Sequence, residues 1–516
     1  MKKFNVVGVC VPDKHYMVDI TNKLDQIDDL IESGSYFTIN KPRQYGKTTT
    51  MFLLEKRFSN SNYFPIFISF EGIGDLAFEE ESRFVKSFLR QIKREIRLKQ
   101  EEDLVEFINN YRELDSVDDL DQFLSDLVNA IDKKVLLMID EVDKSSNNQL
   151  FLSFLGILRD KYLRSNMGKD DTFHSVILVG VHDVKNLKLK LRSQRERKYN
   201  SPWNIAVEFK VDMTFNVAEI ISMLSEYKKD RSSEMDIEAV AEKIYYYTSG
   251  HPFLVSKLAK IIDEELEEIN WTANSIKKAV KLLVNEQNTN FESLIKNIEN
   301  NDDLYQFIYK IIMEGENLTY NLDNPIIDLG ETYGIFKNER GLVKVHNRIY
   351  EQRIYNYMSS KLETNLDMGT YNFKDNFIAE DGYLDFEMVL KKFQLFIKEQ
   401  YSEQDIDFLE RNGRLIFLAF IKPIINGQGF DFKEVQTSQE QRLDVVITYI
   451  DKKYIVELKI WRGEKYHQQG LDQLEEYLDS QNVEQGYLLI FNFNKNKKYK
   501  DEVITRGSKE IFSIWV

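Results

Sequence analysis

The chain has 516 residues, of which 42% are hydrophobic, and its formal net charge at pH 7 is −16. The length predicts about two to four domains, and the hydrophobic share is sufficient for ordinary globular cores. The acidic balance excludes a chain-wide electrostatic attraction to nucleic acid, so such a partner would need a local basic patch, a metal ion or both.

The N-terminal residues and the cysteine content predict a cytoplasmic protein with no membrane partner. Residues 1–10 are basic and then apolar, but Pro12, Asp13 and Lys14 end the apolar run before the core of a signal peptide could form. No stretch approaches the roughly 20 consecutive apolar residues that a membrane-spanning helix needs. The single cysteine excludes an intrachain disulfide and is typical of a reducing compartment.

Residues 36–49 have the order of a phosphate-binding loop. A buried-strand pattern at 36–40 is followed by Gly-Lys-Thr and then by an apolar helix. Lys47 is expected to reach the β- and γ-phosphates of ATP, and the Thr48 hydroxyl to hold Mg²⁺. Because Lys41 replaces the motif's first glycine, a helix cap with a chance Gly-Lys-Thr is the alternative. The predicted nucleotide-binding residues of this loop are Arg43, Gln44, Tyr45, Gly46, Lys47, Thr48 and Thr49.

A second motif, an apolar run that ends in two acidic residues, supports the ATP-binding interpretation. The nearly continuous apolar run 134–139 predicts a strand buried on both faces, and it ends in Asp140 and Glu141. Asp140 is expected to hold Mg²⁺, and Glu141 to orient or deprotonate the attacking water. Pro-Arg-x-x-Gly-Lys-Thr together with this strand is similar to the motifs of STAND-like and archaeal-type AAA ATPases.

Further strands and helices predict a doubly wound α/β domain. The runs 65–70 and 175–180 are typical of buried strands, with Pro65 at the first position of its strand. Amphipathic helices are predicted at 82–98 and 117–131. Alternating strands and helices favour a mostly parallel sheet with its ligand at the carboxyl ends of the strands.

Residues 182–198 could take part in catalysis or assembly. His182 follows the 175–180 strand, where AAA-type ATPases place a polar sensor of the γ-phosphate, and a simple turn is the alternative. The segment 185–198 is basic. It could touch DNA or supply an arginine to a neighbouring copy in a homo-oligomer, although a solvated surface is the favoured interpretation.

The region 211–290 is predicted to be a helical lid. Gly250-His251-Pro252 separates two helices, with the glycine ending one and the proline in the first turn of the next. It resembles the Gly-x-Pro element of STAND-like ATPases, which implies that Pro252 touches the nucleotide, and a purely structural turn is the alternative. Residues 291–360 resemble a winged helix, for which a conformational relay is favoured over DNA reading.

Several N-terminal segments resemble a bacterial group of AAA-like ATPases. They are residues 15–19, 36–40, 43–49, 180–184 and 201–206. This group often carries a PD-(D/E)XK-type domain at its C-terminus. The resemblance therefore implies an ATPase coupled to a nuclease-like module.

The C-terminal domain contains a hairpin with converging charges. Residues 442–447 and 454–459 are apolar runs joined at Asp-Lys-Lys. Glu457 and Lys459 alternate with apolar residues and therefore share one face, which Asp444 can reach from the partner strand. Two carboxylates suit Mg²⁺, and the lysine suits an attacking water or a developing negative charge. A surface hairpin is the alternative.

This order of residues resembles the PD-(D/E)XK nuclease superfamily, with Leu443 in place of the proline. Gln473 and Tyr477 match the Gln-x-x-x-Tyr pair that many members carry on the following helix. The resemblance implies a site made by Asp444, Glu457 and Lys459 with Gln473. Glu410 or Glu434 could supply its first acidic position, and a surface residue is the equal alternative for each of them.

Together these features predict an α/β chain of five parts. They are a P-loop NTPase core at 1–210, a helical lid at 211–290, a winged-helix-like unit at 291–360, a linker at 361–383 and a restriction-endonuclease-like domain at 384–516. The favoured function is an ATP- and Mg²⁺-dependent switch on a nuclease that acts on nucleic acid, DNA rather than RNA. A signalling ATPase whose nuclease-like domain only binds is the alternative, and a DNA motor fits the acidic balance less well.

Overall fold

The computed structural model describes most of the chain up to residue 365 and parts of the remainder. The described residues are 2–111, 114–145, 149–181, 203–267, 269–314, 316, 318–365, 377–379, 381–400, 413–414, 416–418, 420–421, 424, 429–433, 445–449, 452–481, 483–494 and 497–516. They form two compact units, one of residues 1–300 with 320–352 and the other of residues 301–319 with 353–516. Within these ranges no helix is both long and apolar enough to cross a membrane.

The first unit contains a four-stranded parallel sheet, as the sequence predicted. Its strands are β1 (Tyr36–Asn40), β2 (Tyr63–Ser69), β3 (Lys134–Asp140) and β4 (Ser175–Gly180), and their order across the sheet is β1-β4-β3-β2. A single parallel bridge between Phe37 and Val207 extends the pairing on the outer side of β1. This is a P-loop NTPase fold.

Alternate residues of the strands enter two separate cores. On β3, Leu137 and Ile139 pack with side chains from α3 (Glu81–Leu98), α5 (Val117–Asn129) and α6 (Gln149–Asn166). Leu136 and Met138 pack on the other face, with α1 (Thr21–Glu32) and α2 (Lys47–Ser59). Because successive strand residues face opposite ways, a near-continuous apolar run is what a strand covered by helices on both faces requires.

One local prediction about this sheet was wrong. Strand β2 begins at Tyr63, so Pro65 is its third residue and pairs with Leu136. Because β2 is an edge strand that pairs only with β3 among the described strands, the missing N–H of Pro65 can face away from the ladder.

The rest of the first unit is mainly helical. After α4 (Glu102–Asn110) and the sheet come α7 (Val217–Arg231), α8 (Ile237–Thr248), α9 (Pro252–Glu264), α10 (Ala273–Asn285) and α11 (Thr289–Glu299). A short helix, α13 (Pro325–Thr332), precedes a two-stranded antiparallel hairpin of β5 (Phe336–Glu339) and β6 (Leu342–Val345). Helix α14 (Arg348–Asn365) follows the hairpin.

Glycine is required at the junction of α8 and α9. Gly250 has φ +73°, and a Cβ atom there would lie 1.9 Å from the carbonyl oxygen of Phe215. The Phe215 amide donates a hydrogen bond to the Gly250 carbonyl at 2.7 Å. This close backbone approach holds the Gly-His-Pro turn against the segment that precedes α7.

The second unit contains a six-stranded mixed sheet. Its strands are β7 (Gly429–Lys433), β8 (Val445–Tyr449), β9 (Lys452–Ile460), β10 (Gln485–Phe491), β11 (Asp501–Arg506) and β12 (Lys509–Trp515). Their order is β11-β12-β10-β9-β8-β7. The predicted β8–β9 hairpin is antiparallel, while β10 pairs with β9 and β12 in parallel. The described helices of this unit include α12 (Asp302–Tyr309), α15 (Phe386–Gln400) and α16 (Glu464–Gln481).

Candidate functional site

The carboxyl ends of the four parallel strands meet at one edge of the first unit's sheet. Ser69 pairs with Asp140, and Asn40 pairs with Gly180, so the last residues of neighbouring strands lie level. The loop that leaves β1 crosses this edge, where the Lys41 amide donates to the Gly180 carbonyl at 3.2 Å. The fold therefore places the Gly-Lys-Thr loop beside the acidic end of β3.

The loop enters α2 through two residues with left-handed backbone conformations. Gln44 has φ +62° and Gly46 has φ +74°, and Gly46 is the N-cap of α2. The first backbone N–H groups of a helix lack intrahelical partners and attract phosphate. Helix α2 begins at Lys47, which brings both its side chain and the helix N-terminus to this edge.

Lys47 is almost completely buried. Its ammonium donates to the carbonyl oxygens of Lys41 and Pro42, each at 2.9 Å. Burial lowers the pKa of Lys47, and the nearby carboxylates of Glu141 and Asp143 oppose that shift. The two carbonyl contacts are neutral, so an anionic phosphate would be a stronger partner for this ammonium.

Thr48 and Asp140 form the oxygen-rich part of the site. The Thr48 hydroxyl donates to Asp140 Oδ2 at 2.7 Å, and the Glu141 backbone N–H donates to Asp140 Oδ1 at 2.9 Å. A hydroxyl and a carboxylate at this spacing are the ligands that Mg²⁺ prefers. The donor set therefore fits the metal that the sequence predicts.

Glu141 lies next to this pair in a strained conformation. Its φ of +55° is in the left-handed region, which is uncommon for residues other than glycine. Burial, reinforced by the neighbouring Asp140 charge, raises the pKa of Glu141. A carboxylate with a raised pKa is better suited to accept a proton than an ordinary one.

Asp143 is a residue that the sequence reasoning did not assign to the site. Its carboxylate accepts a hydrogen bond from the Val181 backbone N–H, just beyond β4. A Cβ atom on Gly180 would lie 2.9 Å from Asp143 Oδ2, so glycine leaves room for this contact. Asp143 thus ties the end of β3 to the end of β4. The acidic run after Asp140 was the available signal.

The other residues predicted for this site differ in their exposure and in their hydrogen-bond partners. Arg43 is exposed, Gln44 donates to the Thr289 hydroxyl at 3.1 Å, and Thr49 accepts from the Cys10 backbone N–H at 3.1 Å. Pro252 is the buried first residue of α9. His182 and the basic segment 185–198 lie outside the described residues.

The second unit brings together three of the residues predicted for the nuclease-like site. Glu457 on β9 is 1% exposed, and the Lys459 ammonium lies 2.5 Å from its Oε1. The same ammonium donates to Gln473 Oε1 on α16 at 2.6 Å. Tyr477, one turn further along α16, is buried in the adjacent core.

The carboxylate of Glu457 is short of hydrogen-bond donors. The Lys459 ammonium pairs with its Oε1, and among the described residues neither oxygen has a partner in hydrogen-bonding geometry. Carboxylate oxygens are the ligands that hard divalent cations prefer, so Glu457 fits a place in the shell of such a cation. Asp444, Glu410 and Glu434 lie outside the described residues. Within the described ranges no three His, Cys, Asp or Glu side chains are grouped to hold a metal ion.

Comparisons with known proteins identify similarity over the N-terminal two-thirds of the chain. A family model described as an AAA-like domain matches residues 11–356. No curated protein sequence matches the chain.

Three solved structures illustrate this similarity. A Walker-type ATPase of Pyrococcus abyssi is 12% identical, with a TM-score of 0.48, 68% of this chain covered and 99% of that chain. The Aeropyrum pernix ORC1 protein in complex with DNA is 13% identical, with a TM-score of 0.32 and coverages of 67% and 94%. The Thermotoga maritima RuvB Holliday junction branch migration motor is 12% identical, with a TM-score of 0.33 and coverages of 66% and 95%.

Proposed function

Because the chain belongs to the AAA-like domain family, we propose that it is an ATPase whose nucleotide state controls a metal-dependent nuclease in its C-terminal domain. The ATPase part is supported by the family and by the P-loop fold. The observation that supports the ATP site most directly is the contact of Thr48 with Asp140, beside the buried Lys47. The nuclease part is supported by the buried Glu457 with Lys459 and Gln473 around it.

Each residue of the ATP site has a separate role. Lys47 exchanges its neutral carbonyl contacts for the β- and γ-phosphates, and the helix N-terminus behind it adds backbone donors. Thr48 and Asp140 would hold Mg²⁺, which would neutralise charge on the phosphate oxygens. Glu141 orients the attacking water and takes its proton, a role that its raised pKa favours.

In the nuclease-like site, Glu457 and Asp444 would hold a divalent cation, which supplies Lewis-acid activation of the scissile phosphate. Lys459 is held between Glu457 and Gln473, and there it can stabilise negative charge that develops on the phosphate. We propose nucleic acid as the substrate, with DNA favoured over RNA, and defence against foreign DNA as the setting. The net charge of the whole chain is −16, which does not attract nucleic acid. The attraction would have to come from the charged groups of the site itself.

A nuclease assay with purified full-length protein tests both parts. Linear and circular DNA and single-stranded RNA are incubated with Mg²⁺ or Mn²⁺, with and without ATP. Lys459→Ala is expected to lower cleavage by about 10²- to 10³-fold while ATP binding stays unchanged. Lys452→Ala, on the exposed beginning of the same strand, is the matched control and should cleave normally.

Two outcomes would contradict the proposal. If the wild-type protein binds ATP but cuts no substrate under any condition, the C-terminal domain binds without cleaving, and the chain is a signalling ATPase. Lys47→Ala should abolish ATP binding. If cleavage by that variant equals wild-type cleavage with ATP, nucleotide control of the nuclease is wrong.

A further inference from the structure

Tyr45, the residue before Gly46-Lys47-Thr48 in the phosphate-binding loop, points into the protein. Its side chain is 5% exposed. Its ring meets the His251 ring edge-on with 4.6 Å between centroids, and its hydroxyl lies 3.2 Å from His346 Nε2. Tyr45 therefore contacts both the Gly-His-Pro turn and the residue that follows the β5–β6 hairpin.

The partners of Tyr45 also contact one another. Tyr350, in the first turn of α14, places its hydroxyl 2.9 Å from His251 Nε2. The side chain of Asn347 accepts the Tyr350 backbone N–H at 2.8 Å and so caps α14. Tyr45, His251, His346, Asn347 and Tyr350 form one closed set of contacts, named here the tyrosine–histidine cluster.

Both histidines of the cluster are neutral at physiological pH. Burial lowers the pKa of His346 to about 4 and that of His251 well below its usual value. A neutral ring nitrogen without hydrogen accepts the hydrogen bond of a tyrosine hydroxyl. The Tyr45–His346 contact is thus a hydrogen bond between neutral groups in a buried site.

The turn before the β5–β6 hairpin also contacts the phosphate-binding loop. Gly334, in the turn between α13 and β5, has φ +69°, and a Cβ atom there would lie 2.8 Å from Pro42 Cγ and 3.1 Å from the Tyr45 hydroxyl oxygen. The loop is therefore enclosed by residues that are remote in sequence. These contacts support a loop in which Lys41 stands where the motif has its first glycine.

We propose that Tyr45 is a positioning residue of the nucleotide site, which holds the loop in its phosphate-binding shape by docking on His251 and His346. ATP affinity then depends on the hairpin region, although no hairpin residue is required to touch the nucleotide. Because coupling between two events is reciprocal, bound ATP also tightens the hairpin on the loop. The inference rests on the proposed ATP site and adds a regulatory input to it.

A double-mutant cycle on the full-length protein tests this coupling. The dissociation constant for ATP with Mg²⁺ is measured by titration calorimetry for wild type, Tyr45→Phe, His346→Leu and the double variant. Tyr45→Phe keeps the ring but loses the hydroxyl, so ATP binding should weaken about three- to tenfold. The double variant should be no weaker than the poorer single variant, since both remove the same bond. Tyr245→Phe changes an exposed tyrosine and should bind as wild type does.

The outcomes separate this inference from the proposed function. If the wild type binds ATP but the two single effects are independent and add, or if Tyr45→Phe binds as tightly as wild type, the positioning role is overturned and the ATP site stands. If the folded wild type binds no ATP, both proposals fall. If a variant does not fold, hydrogen exchange of wild-type residues 336–345 decides: slower exchange with ATP supports the coupling, and unchanged exchange overturns it.

Discussion

The buried His346 should make the stability of the first unit depend on pH. Its pKa is lowered to about 4, mainly by burial and further by Lys337, while Asp212 partly opposes the shift. In the unfolded chain the same ring takes up a proton near pH 6.5. The neutral ring therefore contributes stability that is fully present above about pH 6.5 and is lost as the pH falls toward about 4.

The size of this loss of stability follows from the difference between the solution pH and the pKa of His346 in the unfolded chain. About pH 5 lies roughly 1.5 units below 6.5, and each unit corresponds to about 1.36 kcal/mol. His346 alone should therefore lower the free energy of unfolding by about 2 kcal/mol between about pH 7.5 and about pH 5. His251 acts in the same direction, because its pKa is also lowered by burial.

Comparison with His346→Gln separates this effect from other titrating groups. Glutamine keeps a hydrogen-bond acceptor but cannot be protonated in this range, so it should lose about 2 kcal/mol less than wild type on acidification. Urea unfolding is followed by tryptophan fluorescence, because Trp203 and Trp271 are buried in this unit. A constant difference between the two proteins at both pH values would refute the argument.

Three further predictions concern other parts of the chain. Gly250→Ala should destabilise the first unit by more than about 1 kcal/mol in thermal or urea unfolding, because the new Cβ meets the Phe215 carbonyl oxygen at 1.9 Å; a wild-type midpoint would contradict the clash. The thiol of Cys10 has a pKa raised by burial, and its backbone N–H contacts Thr49 of the phosphate-binding helix. Alkylation of Cys10 should therefore be slower with ATP present. Equal alkylation rates with and without ATP would place the nucleotide elsewhere. Gly470→Ala should reduce nuclease activity without unfolding α16, because its Cβ would lie 3.2 Å from Lys459 Cγ; unchanged cleavage would show that Lys459 need not be held there.

The parallel sheet and the phosphate-binding loop could be predicted because their signals are local. A strand buried on both faces is a continuous apolar run, and Gly46-Lys47-Thr48 lies between such a run and a helix. The hairpin of β8 and β9 was predicted for the same reason, and it is confirmed as an antiparallel pair. Patterns of this kind need no knowledge of distant residues.

Two features were missed for different reasons. The β11–β12 hairpin had a readable signal, since Arg506-Gly507-Ser508 lies between two alternating segments, and the polar character of 492–502 obscured it. The tyrosine–histidine cluster had none. Tyr45 and His346 meet only because the whole first unit folds, and no short-range spacing records that contact.

The bond between Tyr45 and His346 has a consequence for protein synthesis. It joins residues 301 positions apart, and ribosomes add about 5–20 residues per second. About 15–60 s therefore pass between the synthesis of Tyr45 and the synthesis of His346. Stalled nascent chains that end before His346 should retain ATP poorly, and extension past α14 should restore retention, so that tight nucleotide binding marks a completed first unit.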